Sequence, residues 1–274
     1  MLIDVNRYSS SLKKLWIDTF GDTEDYVSLL FDKGYTPTEC FGEIVNGEVV
    51  SVLYLLKGYI KSDKINYEGR YLYAAATAVP YRGKGLMAKL IKEAQRYIAE
   101  KSITFICLVP ADEGLYGYYG RFGFEPLMKN YISLSSESGT DIGDNKENIT
   151  LEEFVSLREN ISDNIFSFGA EEWKYAFSCL RYVGYDFIRN SEDSYYIISD
   201  DGSEVLEYVS SAENYSHNTK RFLNRLKEGT TIVSPQSLSA FCQSGENKFG
   251  MIYYAEETDK KNISGDIYMN IALD

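Results

Sequence analysis

Arg82, Gly83, Lys84 and Gly85 begin the stretch RGKGLMA, which joins an apolar run, YLYAAATA, to a helix-like one, KLIKEAQRYIAEK. Glycine at a strand-to-helix turn lets backbone N–H groups approach a ligand closely. The first N–H groups of a helix lack partners within it and lie at the positive end of its dipole. Together these features suit a phosphate or pyrophosphate. A triphosphate loop requires G-x-x-x-x-G-K-[ST]. Here Lys84 is followed by Gly85, so the magnesium-binding hydroxyl and the upstream glycine are both missing. Gly83, Gly85 and Ala88 do satisfy the dinucleotide pattern G-x-G-x-x-G/A. The candidate ribose-binding acid, Asp112, comes about 30 residues later instead of about 20. Coenzyme A carries a pyrophosphate as well, and Arg82, Lys84, Lys89 and Lys92 supply cations for its phosphates. On these residues alone a dinucleotide, coenzyme A and a ligand-free glycine helix start all stay open.

Further along stands LYGYYGRFGFEPL. The pair RGKGLMAKLI and YGRFGFEP resembles the GCN5-related N-acetyltransferase (GNAT) superfamily. There R-x-x-G-x-G/A follows the fourth strand, and a tyrosine precedes Gly-Phe by four residues. Arg82 and Gly85 match the first motif; Tyr119, Gly123 and Phe124 match the second. Met87 stands at the last small-residue position, a departure from the pattern. YGRFG, with the paired-helix opening LWIDTF-GD-TEDYVSLLF, is also similar to the enhanced-intracellular-survival type, whose members have tandem GNAT-like domains and modify aminoglycoside amines. The resemblance implies acetyl-CoA as cosubstrate and a small-molecule amine as acceptor, the acceptor pocket being built from variable loops and the first two helices, here near Trp16 to Tyr35. Ala75, Ala76 and Thr77, ending the fourth strand, would pair with the pantetheine arm and polarise the thioester carbonyl. Backbone N–H groups of Gly83, Lys84, Gly85, Leu86, Met87 and Ala88 would hold the pyrophosphate. Tyr119 would protonate the departing thiolate, since a phenol of pKa about 10 still carries its proton at neutral pH. The general base is left open among Asp112, Glu113, a water and the carboxylate of Asp274.

These residues need elements to position them. Leu12, Leu15, Trp16 and Phe20 keep helical spacing, Gly21-Asp22 breaks the run, and a second short helix follows. Residues 40–57 predict a hairpin turning at Asn46-Gly47. Residues 70–79 read as a strand, 84–101 as a helix with Leu86, Leu90, Ala94, Tyr97 and Ile98 on one face, and 103–109 as a strand buried on both faces. Polar residues 133–149 mark a boundary. Beyond it come a helix at LEEFVSLREN, strands at YDFIRN, SYYIISDDG and SEVLEYVS, a helix at NTKRFLNRLKEG, and strands at TTIVS, FGMIYYAE and DIYMNIALD.

The expected fold is therefore α/β (α+β), a mixed central sheet flanked by helices. A GNAT domain is expected over 1–135, a linker over 136–150, and a degenerate GNAT-like domain without a coenzyme loop over 151–274. Many of the 24 tyrosines are expected half-buried, with rings inside and hydroxyls out.

Net charge is −13. Residues 1–130 hold 16 acids and 16 bases, whereas 131–274 hold 25 acids and 12 bases, so the excess lies in the second half. Such a surface repels nucleic acid and draws cations. Four separated cysteines, no export signal and no long apolar run lead to a cytoplasmic protein with no membrane partner. A homo-oligomer is compatible with these features. The leading function is acetyl transfer from acetyl-CoA to a primary amine of a small molecule, a cationic polyamine or aminoglycoside among the options. The alternatives are an acyl-CoA-binding regulatory module without efficient catalysis and an NAD-dependent enzyme.

Overall fold

The computed structural model describes residues 1–31, 37, 39–62, 65–136, 139, 147–161, 164–263, 266–271 and 273. In the first half, α1 (Ser9–Phe20) and α2 (Glu24–Phe31) lead into strands β1 (Cys40–Val45), β2 (Glu48–Ser62) and β3 (Ile65–Thr77). Then come α3 (Leu86–Glu100), β4 (Phe105–Leu108), α4 (Glu113–Gly120) and β5 (Glu125–Leu134). The second half comprises α5 (Leu151–Ile161), β6 (Ile165–Phe168), α6 (Ala170–Tyr182), β7 (Tyr185–Ser191), β8 (Ser194–Ser199) and β9 (Glu204–Ser210). It ends with α7 (Tyr215–Leu223), β10 (Thr231–Ser234), β11 (Gln243–Tyr254), α8 (Glu257–Asn262) and β12 (Ile267–Tyr268).

Local chemistry accounts for the boundaries nearest the site. Gly21, at φ +78°, ends α1 in the left-handed region and donates its N–H to Ile17 O. Asn46 and Gly47, at φ 52° and 86°, make the tight turn joining β1 to β2. Helix α3 buries Leu90, Ile91, Ala94 and Ile98 against the sheet. The anticipated face is thus nearly right, with Ile91 in it and Leu86 at its edge.

Strands β1, β2, β3 and β4 form a meander followed by a parallel crossover through α3. Strands β7, β8, β9 and β10 repeat this plan through α7. All the strands nevertheless belong to one mixed sheet, because β11 crosses from the second half and inserts between β4 and β5. Its Ile252 pairs with Cys107 on one side and Glu125 on the other. β6 pairs with β2, and β12 joins β6 to β5. These pairings close a ring of seven strands whose interior is filled by Tyr71, Phe105, Phe166, Phe168 and their neighbours. Closure leaves no open edge there.

The structure adds elements to those read from the sequence. The helix α6 and strand β6 are absent from the reading of IFSFGAEEWKYAFSCLRY, although Trp173, Ala176, Cys179 and Leu180 show helical spacing. Several tyrosines are buried whole, hydroxyl included, and some of these hydroxyls find partners within the fold, whereas that of Tyr54 has none among the described residues. Tyr73 and Tyr175 share a hydrogen bond of 3.0 Å across the two halves, and Tyr195 donates to Glu207 at 2.6 Å. Glu207 also meets the fully buried Arg158 at 3.3 Å.

Backbone closeness limits substitution in the ring. A Cβ at Gly69 would lie 2.1 Å from the Phe105 ring, whereas one at Gly245 meets nothing within 4 Å. Gly69→Ala is expected to destabilise by about 1–3 kcal/mol in denaturant unfolding through overpacking. Gly245→Ala is expected to stay within about 0.5 kcal/mol. Equal effects would contradict this packing.

Candidate active site

β3 does not run straight. Between the Val52–Ala76 and Tyr54–Tyr73 pairs, Leu53 of β2 faces both Ala74 and Ala75, and Ala74 has φ +46°. This is a β-bulge, which bends the strand and re-aims its side chains. The register between β3 and β4 ends at Tyr71–Cys107, while β3 continues to Thr77. The two strands therefore part at their C-terminal ends, and two cavities open at the gap.

The first cavity has a volume of about 720 Å³. Arg82, Gly83, Gly85, Leu86, Met87 and Ala88 line one wall, with Ala75 and Thr77 at the strand end. Tyr118, Tyr119 and Arg121 line the opposite wall. The structure thus brings most of the residues singled out in sequence to one place. Gly83 and Gly85 have φ +72° and +76°, and a Cβ at either would meet nothing within 4 Å. Backbone conformation requires glycine there, and the space in front is open to a ligand. Arg82 steadies the loop by donating from Nε to Thr77 O at 2.9 Å.

Other candidates lie elsewhere. The Lys84 ammonium sits 4.9 Å from the Tyr81 ring centroid, and Lys84 is not among the lining residues. Lys89 pairs with Glu43 at 2.7 Å, while Lys92 does line the cavity. The side chain of Ala76 is buried in the core, as alternation along a strand requires. Asp112 caps α4, accepting from Leu115 N at 3.1 Å, and both it and Glu113 are exposed outside the cavity walls. Asp274 lies outside the described residues, as does most of the expected linker. Arg121 was present in YGRFGF, but its sequence position gave no sign that it would face the loop across the cavity.

Tyr119 lies where the two cavities meet, since Ala75, Leu115 and Tyr119 line both. The second cavity, about 340 Å³, is walled by Trp16, Phe20 and Asp22 from the first helix and its end, by Tyr73 and Val109, and by Leu273. Only the family resemblance pointed to the first two helices as a wall of the site; no local pattern links residues 16–22 to the loop, because their proximity depends on α1 crossing the sheet. Burial pushes the Tyr119 hydroxyl up to about 12, with the neighbouring Tyr118 adding to the shift. Its ring packs on those of Tyr118 and Phe124, at 5.3 Å and 5.8 Å.

The second half handles the corresponding helix start differently. Asp193, in the β7–β8 turn, accepts hydrogen bonds from Asn214 and Asn218 at 2.8 Å and 2.9 Å, and from Ser211. Partial burial opposes ionisation, yet these donors hold its carboxyl well below the usual carboxylate range. An internal anion therefore takes up the polar donors around the start of α7. His217 is exposed on that helix.

A bulged strand splayed from its parallel neighbour, a glycine loop opening a helix, and a buried tyrosine between two cavities thus stand together at one site. Residues 7–127 match the family described as "Acetyltransferase (GNAT) domain". That match lies within the first half of the chain, while the likeness in fold to solved structures extends over nearly all of it. No curated protein matches it in sequence. Its fold is similar to that of a GCN5-related N-acetyltransferase from Kribbella flavida, at TM-score 0.67 and 15% identity, covering 93% of this chain and 72% of that one. It is also similar to Eis1 from Mycobacterium abscessus, at TM-score 0.68 and 12% identity over 93% and 73% of the two chains. A GCN5-related N-acetyltransferase from Anabaena variabilis aligns at TM-score 0.67 and 17% identity over 92% and 71%. Among the described residues no helix is long and apolar enough to cross a membrane.

The raised Tyr119 value has a definite sign. A hydroxyl that ionises near 12 in the fold and near 10 in the unfolded chain adds stability below about pH 10, and this contribution is lost as pH rises through about 12. Tyrosinate absorbance of the native chain minus that of Tyr119→Phe should show one ring titrating near 12. A ring titrating near 10 would contradict the burial.

Proposed function

We propose that this chain transfers the acetyl group of acetyl-CoA to a primary amine of a small molecule. One observation carries the reading: the glycine loop, the end of the bulged strand and Tyr119 line a single cavity that opens past Tyr119 into a second one. That is the arrangement needed by two reactants approaching from opposite sides.

The loop amides of Gly83 to Ala88, at the positive end of α3, hold the pyrophosphate, with Arg82 and Lys92 adding charge. Backbone groups of Ala75 to Thr77, which face the gap beyond the β4 register, hold the pantetheine arm and polarise the thioester carbonyl. Acetyl-CoA supplies an activated acyl carbon. The amine lone pair forms the new C–N bond as the C–S bond breaks. Tyr119 delivers its proton to the leaving sulfur, and the amine's surplus proton passes to solvent or to a base. Among the described candidates, Asp112 and Glu113 stand outside both cavities, which favours a water as the immediate proton acceptor.

Tyr119→Phe is expected to lower kcat by about 10²- to 10⁴-fold while leaving acetyl-CoA binding intact. Thiol release during an amine screen measures the rate, and heat protection by acetyl-CoA measures binding. Tight coenzyme binding without turnover of any amine would instead favour the regulatory module. Heat protection by NAD but not by acetyl-CoA would overturn the coenzyme assignment.

A further inference from the structure

The acceptor side carries a narrower message, which rests on the acyl-transfer function proposed above. Behind the inner cavity lies an outer one of about 420 Å³, between the α1–α2 corner and α6. Asp22 and Leu273 line both, so the two cavities meet at these residues. The walls are dominated by apolar and aromatic side chains, Trp16, Phe20 and Tyr73 inside and Leu180, Tyr182 and Leu206 outside. Cys179, also in the outer wall, is neutral, because burial pushes its thiol up to about 11.

Among the described residues lining either cavity, Asp22 is the sole charged group. Trp16 donates from Nε1 to its Oδ2 at 2.7 Å. That bond fixes the carboxylate at the junction, and its second oxygen has no hydrogen-bond partner among the described residues. A polyamine or aminoglycoside would bring several ammonium groups into a space with one carboxylate, and each unpaired charge would be desolvated without compensation. One ammonium on an apolar body leaves nothing unpaired. The acidic surface of the second half draws cations in general by its long-range field, but it does not select among them. Selection falls to the walls.

We propose that the acceptor is a monoamine with an alkyl or aryl body. Asp22 receives its ammonium group where the cavities join, the amine end turns toward Ala75 and Tyr119, and the body lies against the apolar walls. Asp22 is a positioning residue for the amine, and the Trp16 indole positions Asp22. The aromatic faces of the inner wall further favour a single cation over a neutral polar group.

Thiol release from acetyl-CoA would be followed with n-alkylamines and phenylalkylamines of increasing length, with spermidine, and with kanamycin. Monoamines are expected to exceed the two polycations in kcat/KM by about tenfold or more, an ion pair's worth of binding. Asp22→Asn keeps an acceptor for Trp16 and removes the charge. It is expected to raise the amine KM about tenfold without moving the acetyl-CoA KM or the melting temperature. Leu206→Trp fills the outer cavity and should slow long-bodied amines while sparing short ones. Preference for spermidine or kanamycin, or an unchanged amine KM in Asp22→Asn, overturns this proposal alone. Turnover of no amine overturns it together with the acyl-transfer function.

Discussion

The site depends on a break in strand pairing. Parallel strands β3 and β4 share register only from Gly69–Phe105 to Tyr71–Cys107, and then separate. Buried backbone N–H and C=O groups need partners, so a sheet does not part freely in its middle. Here the bulge at Ala74 and Ala75 turns β3 away while β2 keeps pairing with it as far as Thr77. On the other side, β4 is held along its length by β11. Each strand is thus secured on its outer edge, and the unpaired inner edges face the space where two cavities meet at Tyr119.

That arrangement explains the contribution of the second half. The four residues of β4 would be a poorly supported edge without β11, which arrives from more than 100 positions later in the chain. β6 supports the far side of β2, and α6 provides a wall of the outer cavity through Cys179, Leu180 and Tyr182. The hydroxyl pair of Tyr73 and Tyr175 and the contact of Thr23 with Tyr182 at 3.1 Å join the halves around that wall. The second half thus repeats the first half's plan and also completes its sheet and its cavity.

The coenzyme side was legible in sequence because its parts are local. A glycine loop requires left-handed backbone at Gly83 and Gly85, and the demand is met by residue type within a few positions. The Asn46-Gly47 turn is legible for the same reason. The second cavity was legible only as a region, the first two helices, and only through the family resemblance. Trp16, Asp22, Val109 and Leu273 share no motif, and they converge only because α1, β4 and the chain's last described residue meet over the splayed strands. The Lys84 and Lys89 ammonium groups lie against an aromatic face and a carboxylate, contacts that residue type alone does not reveal. The counted tyrosines gave no warning that several would bury their hydroxyls, since a partner such as Glu207 or Tyr175 is supplied by another strand or helix.

By itself, the sequence determined the class of chemistry. Short-range rules of helix starts, glycine conformation and turn residues fit the loop to a phosphate or pyrophosphate, and only the family resemblance carried by YGRFGFEP pointed to coenzyme A and to Tyr119. Only the tertiary structure decided how the second cavity is walled, which carboxylate lines it and why the strands stay apart. Those features rest on contacts between residues far apart in the chain, above all β11 against β4 and α6 against α2. Local propensity carries no information about such contacts; packing and the need to pair every buried strand edge do.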